Sequence, residues 1–184
     1  MLACRALWNP DSCVPRWPST ARACADLDSL RASRSSLRIL VLHGPNLQAL
    51  GTREPELYGR VTLDEVNSRL QSLASELGCE VETFQSAHEG VLIDALYQAR
   101  GRCHGVVFNP GGLTHTSVAV RDAIAGAGLP TVEVHVSNPQ ARESFRHRSL
   151  VAGVALGTVS GFGVESYQLA LRGLVQKLQA HGAR

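Results

Sequence analysis

The sequence lacks several features that mark particular classes of protein. Only one of its 184 residues is a lysine, Lys177. Tyr167, Leu171 and Leu174 precede it at helical spacing, so it borders an apolar stripe near the chain end, a poor place for a catalytic pocket. A mechanism that needs a Schiff-base lysine is therefore not expected. No window approaches the ~18 uninterrupted apolar residues of a membrane span.

The chain also carries almost no excess of positive over negative charge. The formal net charge is +2, and the five arginines and three aspartates of residues 1–36 account for all of it, so residues 37–184 are neutral. A neutral body without a basic stretch argues against nucleic acid or an anionic membrane as the main partner. No G-x-x-x-x-G-K-[ST] pattern is present, so a nucleotide cofactor is not indicated.

Residues 1–36 differ in composition from the rest of the chain. They contain both tryptophans and three of the five cysteines, without helical or strand periodicity. We interpret them as a disordered extension or a mis-assigned start, because the aspartates disfavour a targeting peptide and no apolar run suggests a secretory signal. The cysteines are odd in number and form no C-x-x-C pair, so we expect reduced thiols and a cytoplasmic protein.

From residue 37 onward, short apolar runs alternate with helical patterns. Thr62 and Glu65 have capping-box spacing at the start of one helix, and Gly78 ends it. Parallel strands need crossover helices, so the alternation predicts an α/β fold, a flavodoxin-like three-layer sandwich with a five-stranded parallel sheet. The predicted strands are 37–42, 79–85, 105–109, 131–136 and 154–159, and the predicted helices include 116–125, 140–146 and 163–180.

Polar residues collect directly after these predicted strands. In an open parallel sheet, ligands bind beyond the carboxyl ends of the strands. The residues concerned are His43 and Asn46 after the first strand, Gln85, Ser86 and His88 after the second, Asn109, Thr114 and His115 after the third, and Glu133, His135 and Ser137 at the fourth. Their concentration predicts an active site at this edge.

The fourth strand carries the clearest signal. Glu133, His135 and Ser137 alternate with valines, so three polar side chains share one face of a strand that should be buried. A Glu beside a His suits an oriented imidazole that acts as a general acid. The alternative is a metal site that also uses His115, although no third carboxylate or thiol accompanies it.

Two further groups are candidates from pattern alone. Residues 51–59 have glycines at both ends and predict a mobile loop that could close over a pocket. Within it, Arg53 could stabilise Tyr58 as a phenolate, which would make this tyrosine a base at neutral pH. Arg142 and Arg146 lie four residues apart and could bind a carboxylate or cover the pocket.

Five segments together resemble the type II 3-dehydroquinate dehydratases of the shikimate pathway. They are LHGPNLQALGTREPELYG, FQSAHEG, NPGGLTHTSVAVRD, EVHVSN and ARESFRHRS, in this order, and the resemblance covers about residues 37–179. It implies a reversible anti elimination of water from 3-dehydroquinate to 3-dehydroshikimate through an enolate, without metal or organic cofactor. It also implies a homododecamer built from trimers.

The resemblance assigns chemical roles to five residues. Tyr58 would be the base that takes a proton from C2, and Arg53 would hold it as phenolate. Asn46 would stabilise the enolate through a water. His135, oriented by Glu133, would protonate the leaving C1 hydroxyl.

The remaining implied roles are in substrate binding. Asn109, His115 and Arg146 would hold the ring hydroxyls, and Val136 and Ser137 the carboxylate. Arg142 would help to close the lid, and Asp122 would reach a neighbouring subunit's site.

The sequence departs from the family pattern at a few positions, and other functions stay open. His43 stands where the family usually has Asn, and Ala87 replaces an Asn, which puts the rate rather than the reaction in question. The alternatives are quinate catabolism by the same step, a catalytically dead flavodoxin-like binding module, and a metal-dependent hydrolase.

Overall fold

The computed structural model describes residues 36–52 and 60–182. Arg53 and Tyr58 therefore lie outside the described residues. The predicted extension also lies outside them, except for Ser36, and its boundary stays a prediction.

Five parallel strands form one sheet. Their order across the sheet is β2-β1-β3-β4-β5, and each neighbouring pair is parallel. The strands are β1 (Leu37–His43), β2 (Cys79–Gln85), β3 (Gly105–Asn109), β4 (Thr131–His135) and β5 (Gly157–Ser160). This strand order is that of flavodoxin-like proteins, so the predicted fold class is confirmed.

Helices connect the strands. They are α1 (Leu63–Leu77), α2 (Glu89–Gln98), α3 (Leu113–Thr116), α4 (Val118–Ala127) and α5 (Glu165–Gly182). Helix α1 begins with the predicted capping box between Thr62 and Glu65, and it ends at Gly78 in the left-handed conformation. Among the described residues, no helix combines the length and the apolar character needed to cross a bilayer.

The sheet is covered on both faces. On one face, Ile39, Val41 and Val134 pack with residues of α1 and α5 such as Leu70 and Leu171. On the other face, the alternate strand residues pack against α2 and α4. Alternate residues along the strands thus pack into two separate cores, one on each face of the sheet. Because both faces are buried, the strands are continuous apolar runs.

The structure differs from the predicted elements in three places. The predicted helix 116–125 is interrupted at Ser117, whose backbone is extended and whose side chain caps α4 by accepting from the Val120 N–H at 2.8 Å. The predicted helix 140–146 is instead two 3-10 turns, Pro139–Ala141 and Ser144–Arg146. The fifth strand begins at Gly157 rather than at residue 154.

The topology determines where a ligand can bind. The chain leaves β1 toward one side of the sheet and β3 toward the other, because β1 lies between β2 and β3. Such a switch point opens a crevice at the carboxyl ends of the strands. Segments after β1, β3 and β4 therefore meet at this edge.

Candidate active site

A cavity of about 260 Å³ lies at this edge of the sheet. Its walls come from the segments after β1, β3 and β4 and from the two 3-10 turns. The polar residues that line it are Asn46, Asn109, His115, His135, Ser137, Arg142 and Arg146, and Val136 lines it with them. Eight of the residues predicted from the sequence therefore share one cavity.

Asn46 has the only positive φ among the described non-glycine residues, at 70°. Asn tolerates the left-handed region better than most residues, because its short polar side chain can make local hydrogen bonds. Here the side chain makes no capping bond to the following 3-10 turn, Leu47–Ala49. Asn46 is exposed and lines the cavity, and its amide is not used to cap the turn that follows it.

Glu133 and His135 form a buried pair on β4. Glu133 is fully buried, and its Oε1 lies 2.8 Å from Nε2 of His135. Because the carboxylate accepts this hydrogen bond, Nε2 carries a proton and Nδ1 is the ring nitrogen that Glu133 does not engage. A carboxylate that orients a histidine in this way stabilises the imidazolium that a general acid needs.

Hydrogen bonds from His135 and from two hydroxyl groups keep Glu133 ionised. Burial alone would raise its pKa, but hydrogen bonds from His135, Thr114 and Ser149 outweigh this effect and hold the pKa below the usual value of a glutamate. Thr114 donates to Oε1, and the Ser149 hydroxyl lies 3.1 Å from both carboxylate oxygens. Glu133 is therefore a fixed negative charge beside His135 rather than a second acid.

A backbone carbonyl orients His115. Its Nδ1 donates to the backbone carbonyl of Arg148 at 2.8 Å. Nε2 is consequently unprotonated in the neutral ring and can accept a hydrogen bond. Such a nitrogen suits a substrate hydroxyl.

Two arginines supply positive charge to the cavity. Nε of Arg146 lies 2.8 Å from Glu143 Oε2, and Nε of Arg142 lies 3.5 Å from the same oxygen. The pKa of the exposed Glu143 is lowered, first by a backbone hydrogen bond within Glu143 itself and then by Arg146. The shared carboxylate holds both guanidinium groups at one rim, where they can meet an anionic ligand.

Asn109 closes the base of the cavity. It is 3% exposed, and its Oδ1 accepts the Gly111 N–H at 3.1 Å. Burial raises the pKa of Tyr167, a fully buried tyrosine of α5, and a hydrogen bond from the Asn109 side chain partly offsets this. The hydroxyl of Tyr167 lies in turn 2.9 Å from Nδ1 of His43.

One described residue of the predicted site, Asp122, does not line this cavity, and two others cannot be placed. Asp122 is exposed on α4, pairs with Arg121 at 2.6 Å, and is absent from the cavity lining. Arg53 and Tyr58 lie outside the described residues. The ends of their loop are described, however: a Cβ on Gly51 would lie 2.9 Å from the Arg60 carbonyl oxygen, so the loop leaves and returns at one place.

Sequence reasoning missed two contributors to the site. Ser149 holds Glu133 from a segment without periodicity, and nothing in the sequence indicated its role. Tyr167 was placed in an apolar helical stripe, although a buried tyrosine hydroxyl nearly always has a polar partner. That rule could have indicated its link to the site.

The described residues give no support to a metal site. Within ranges 36–52 and 60–182, no group of three or more His, Cys, Asp and Glu side chains is arranged to hold a metal ion. The described cysteines, Cys79 and Cys103, are buried, free thiols. Burial raises the pKa of both, which disfavours the thiolate.

Fold and site together define a class of protein. A flavodoxin-like sheet holds an ionised Glu133–His135 pair against a polar cavity with a cationic rim. Groups of this kind transfer protons to and from a small anionic, hydroxylated molecule. The class is an acid–base enzyme.

The particular family follows from comparison with known proteins. Residues 37–175 match the model of the family described as dehydroquinase class II, and the chain belongs to this family. A 3-dehydroquinate dehydratase of Gloeobacter violaceus is 61% identical over 140 residues, which are 76% of this chain and 88% of the relative. The catabolic 3-dehydroquinase 2 of Aspergillus flavus is 53% identical over 140 residues, 76% of this chain and 93% of the relative.

Solved structures agree in fold. The type II dehydroquinase of Propionibacterium acnes is 42% identical and aligns with a TM-score of 0.73, covering 77% of this chain and 99% of that structure. The type II dehydroquinase of Butyrivibrio crossotus is 39% identical, with a TM-score of 0.75, and covers 76% of this chain and 98% of that structure. The family resemblance seen in the sequence is thereby confirmed.

Proposed function

We propose that this enzyme, a hydro-lyase, eliminates water from 3-dehydroquinate, with Tyr58 as base and His135 as acid. The observation that carries the proposal is the buried Glu133–His135 pair on the wall of a cavity inside a family match that spans residues 37–175. The substrate carries a carboxylate, ring hydroxyls and a ketone, and the cavity offers a complementary group for each.

The elimination begins with loss of a proton from C2. Tyr58 accepts it as phenolate, and Arg53 provides the positive charge that makes the phenolate accessible near neutral pH. The positions of Gly51 and Arg60 support this assignment: a Cβ on Gly51 would lie 2.9 Å from the Arg60 carbonyl oxygen, and Gly51 directly follows the cavity residue Leu50. Asn46 stabilises the enolate oxygen that develops at the ketone.

The second half of the reaction is departure of the C1 hydroxyl. His135 gives this oxygen a proton, and water leaves as the C1–C2 double bond of 3-dehydroshikimate forms. Glu133 stays ionised throughout, so it supports the imidazolium without competing for the proton.

Binding is assigned to the other walls of the cavity. Asn109, His115 and Arg146 bind the ring hydroxyls, and backbone and hydroxyl donors at Val136 and Ser137 bind the carboxylate. Arg142 closes the rim. Each of these residues lines the same cavity, which supports their assignment to one ligand.

We further propose that the enzyme is an oligomer and that Asp122 lies at a subunit contact. On α4, Val118 is 57% exposed and lies one turn before the exposed Asp122. An apolar and an acidic side chain on one outward face suit contact with another subunit. We assign Asp122 to the neighbouring subunit's site in a dodecamer that is a tetramer of trimers, and we place the enzyme in the cytoplasm and in aromatic biosynthesis.

The name of the Aspergillus flavus relative shows that the family also includes catabolic members. Quinate breakdown would use the same reaction and the same residues. The proposed chemistry therefore does not depend on which pathway supplies the substrate.

The test follows absorbance of the conjugated enone product when purified protein is mixed with 3-dehydroquinate, with and without EDTA. Tyr58→Phe is run beside wild type, and Tyr97→Phe is the matched control, since Tyr97 lies on α2 and is absent from the cavity lining. We expect EDTA-resistant turnover that is lost only in Tyr58→Phe. Absence of turnover in a folded wild type would favour the binding module, and loss with EDTA would favour a metal-dependent enzyme.

A further inference from the structure

A row of hydrogen bonds connects the floor of the cavity to helix α1. It contains four side chains, Asn109, Tyr167, His43 and Asn67, which come from four different elements. The Tyr167 hydroxyl lies 2.9 Å from Nδ1 of His43, and Nε2 of His43 lies 2.9 Å from Oδ1 of Asn67. Asn109 hydrogen-bonds the Tyr167 hydroxyl at the other end. None of the proposed catalytic steps uses His43, Tyr167 or Asn67.

The direction of these bonds is fixed at the α1 end. Oδ1 of Asn67 can only accept, so Nε2 of His43 carries the proton of the neutral ring and Nδ1 is an acceptor. The Tyr167 hydroxyl therefore donates its proton to Nδ1 of His43. The Tyr167 oxygen is left to accept, so the amide nitrogen of Asn109 is the donor at the cavity end.

His43 is the member that permits this direction. It is completely buried, and burial lowers its pKa to about 4, so the ring is neutral at neutral pH. A doubly protonated ring would present two donors and leave the Tyr167 proton without an acceptor. Only the neutral ring, with one donor and one acceptor, can donate to Asn67 and at the same time accept from Tyr167.

We propose that His43 and Tyr167 are positioning residues that hold the Asn109 amide in its ligand-binding orientation. With one lone pair committed to Gly111 and one N–H committed to Tyr167, Asn109 keeps one donor and one acceptor for a ligand in the cavity. Loss of the Tyr167 acceptor frees the amide to rotate. The inference rests on the proposed function, because it names the group that orients a substrate-binding residue.

The test compares two variants that keep an aromatic ring in place. Tyr167→Phe deletes one oxygen, and His43→Phe removes both ring nitrogens. Each should lower kcat/KM for 3-dehydroquinate by about tenfold, the equivalent of one net hydrogen bond, and mostly through KM because the catalytic groups are untouched. The double variant should be no worse than the poorer single variant, since both break one connected row.

Controls separate positioning from simple destabilisation. Ile39→Val removes one methylene from the core cluster that contains Tyr167, so it is a destabilised variant with an intact row of hydrogen bonds. Thermal unfolding compares its loss of stability with that of Tyr167→Phe. We expect Ile39→Val and Tyr97→Phe to keep the wild-type KM. Asn67→Ala, at the far end on α1, should raise KM less than Tyr167→Phe, and it provides a folded variant if His43→Phe does not fold.

Several outcomes would overturn the inference. A KM in Tyr167→Phe equal to that of Tyr97→Phe would show that the row does not position Asn109. Multiplicative losses in the double variant would show that the two residues act independently. If wild type has no turnover, the proposed function fails separately, and calorimetric titration with 3-dehydroshikimate then compares the same variants: equal affinities would also refute the positioning role.

Discussion

Acidification should destabilise this protein well above the pH at which its glutamates titrate, and His43 is the cause. An ordinary histidine has a pKa near 6.5, whereas burial lowers the pKa of His43 to about 4. As pH falls below 6.5, the unfolded chain binds a proton at this position and the native state does not. Because the unfolded state binds more protons, the free energy of unfolding falls with falling pH.

The size of this effect follows from the two pKa values. The contribution is fully present above pH 6.5 and is lost progressively down to about pH 4. Between pH 7 and pH 5 the linkage relation gives a loss of about 2 kcal/mol in the free energy of unfolding. Glu133 contributes with the same sign only below 4.5, because its pKa is lowered from that value. The window from pH 5 to 7 therefore isolates His43.

Urea unfolding at pH 7 and at pH 5, at one fixed protein concentration, measures the loss. His43→Phe cannot bind the proton, so its unfolding free energy should fall by about 2 kcal/mol less than that of wild type over this interval. His88→Gln removes an exposed histidine and should keep the wild-type dependence. Equal pH dependence in wild type and His43→Phe would refute the reasoning.

Three further changes test the site and the fold. Glu133→Gln keeps the size of the side chain but removes the charge that supports the His135 imidazolium, so kcat should fall by about 100-fold. Gly44→Ala should lower both stability, by about 1–3 kcal/mol, and activity, because overpacking cannot be relieved at a rigid backbone. Its Cβ would lie 2.8 Å from the backbone C and O of Pro110, which follows the cavity residue of β3. Thr62→Ala removes the helix cap and should cost about 1 kcal/mol in urea unfolding.

Each of these changes has a reference. Gly126→Ala is the control for Gly44→Ala, because its Cβ would meet only the side chain of Tyr97, with the hydroxyl nearest at 2.7 Å, and Tyr97 is 44% exposed and can move. Similar losses in both variants would contradict the role of the rigid backbone. A wild-type kcat in Glu133→Gln would remove Glu133 from the mechanism. Unchanged urea unfolding in Thr62→Ala would mean that the capping box adds no stability.

Sequence periodicity predicted a helix correctly where all the local signals agree. Helix α1 was predicted to its ends, because capping box, apolar face and terminal glycine all agree. The break at Ser117 was missed because the apolar pattern runs through residues 116–125 without interruption, so periodicity placed the start of the helix before its cap. The turns of residues 139–146 were missed for a related reason: arginines four apart suggest a helical face, but Pro139 and the extended backbone at Arg142 divide the segment.

The site was predictable where topology alone brings residues together. Asn46, Asn109 and His135 each follow or end a parallel strand, so the rule for carboxyl edges places them at one cavity. The links behind that cavity were not predictable. Tyr167 reaches His43 across 124 positions of sequence, and only the packing of α5 against the sheet sets that distance.

The division of labour around the cavity has an evolutionary consequence. The acid pair lies on β4, inside the sheet, whereas Arg142 and Arg146 lie on two short 3-10 turns outside it. Changes in residues 138–147 can therefore alter which anion is admitted while the buried chemistry stays intact. Substitutions within these ten residues are enough to change the substrate preference of this fold. A graft of the segment from a relative would therefore transfer that relative's preference and leave the Glu133–His135 pair unchanged.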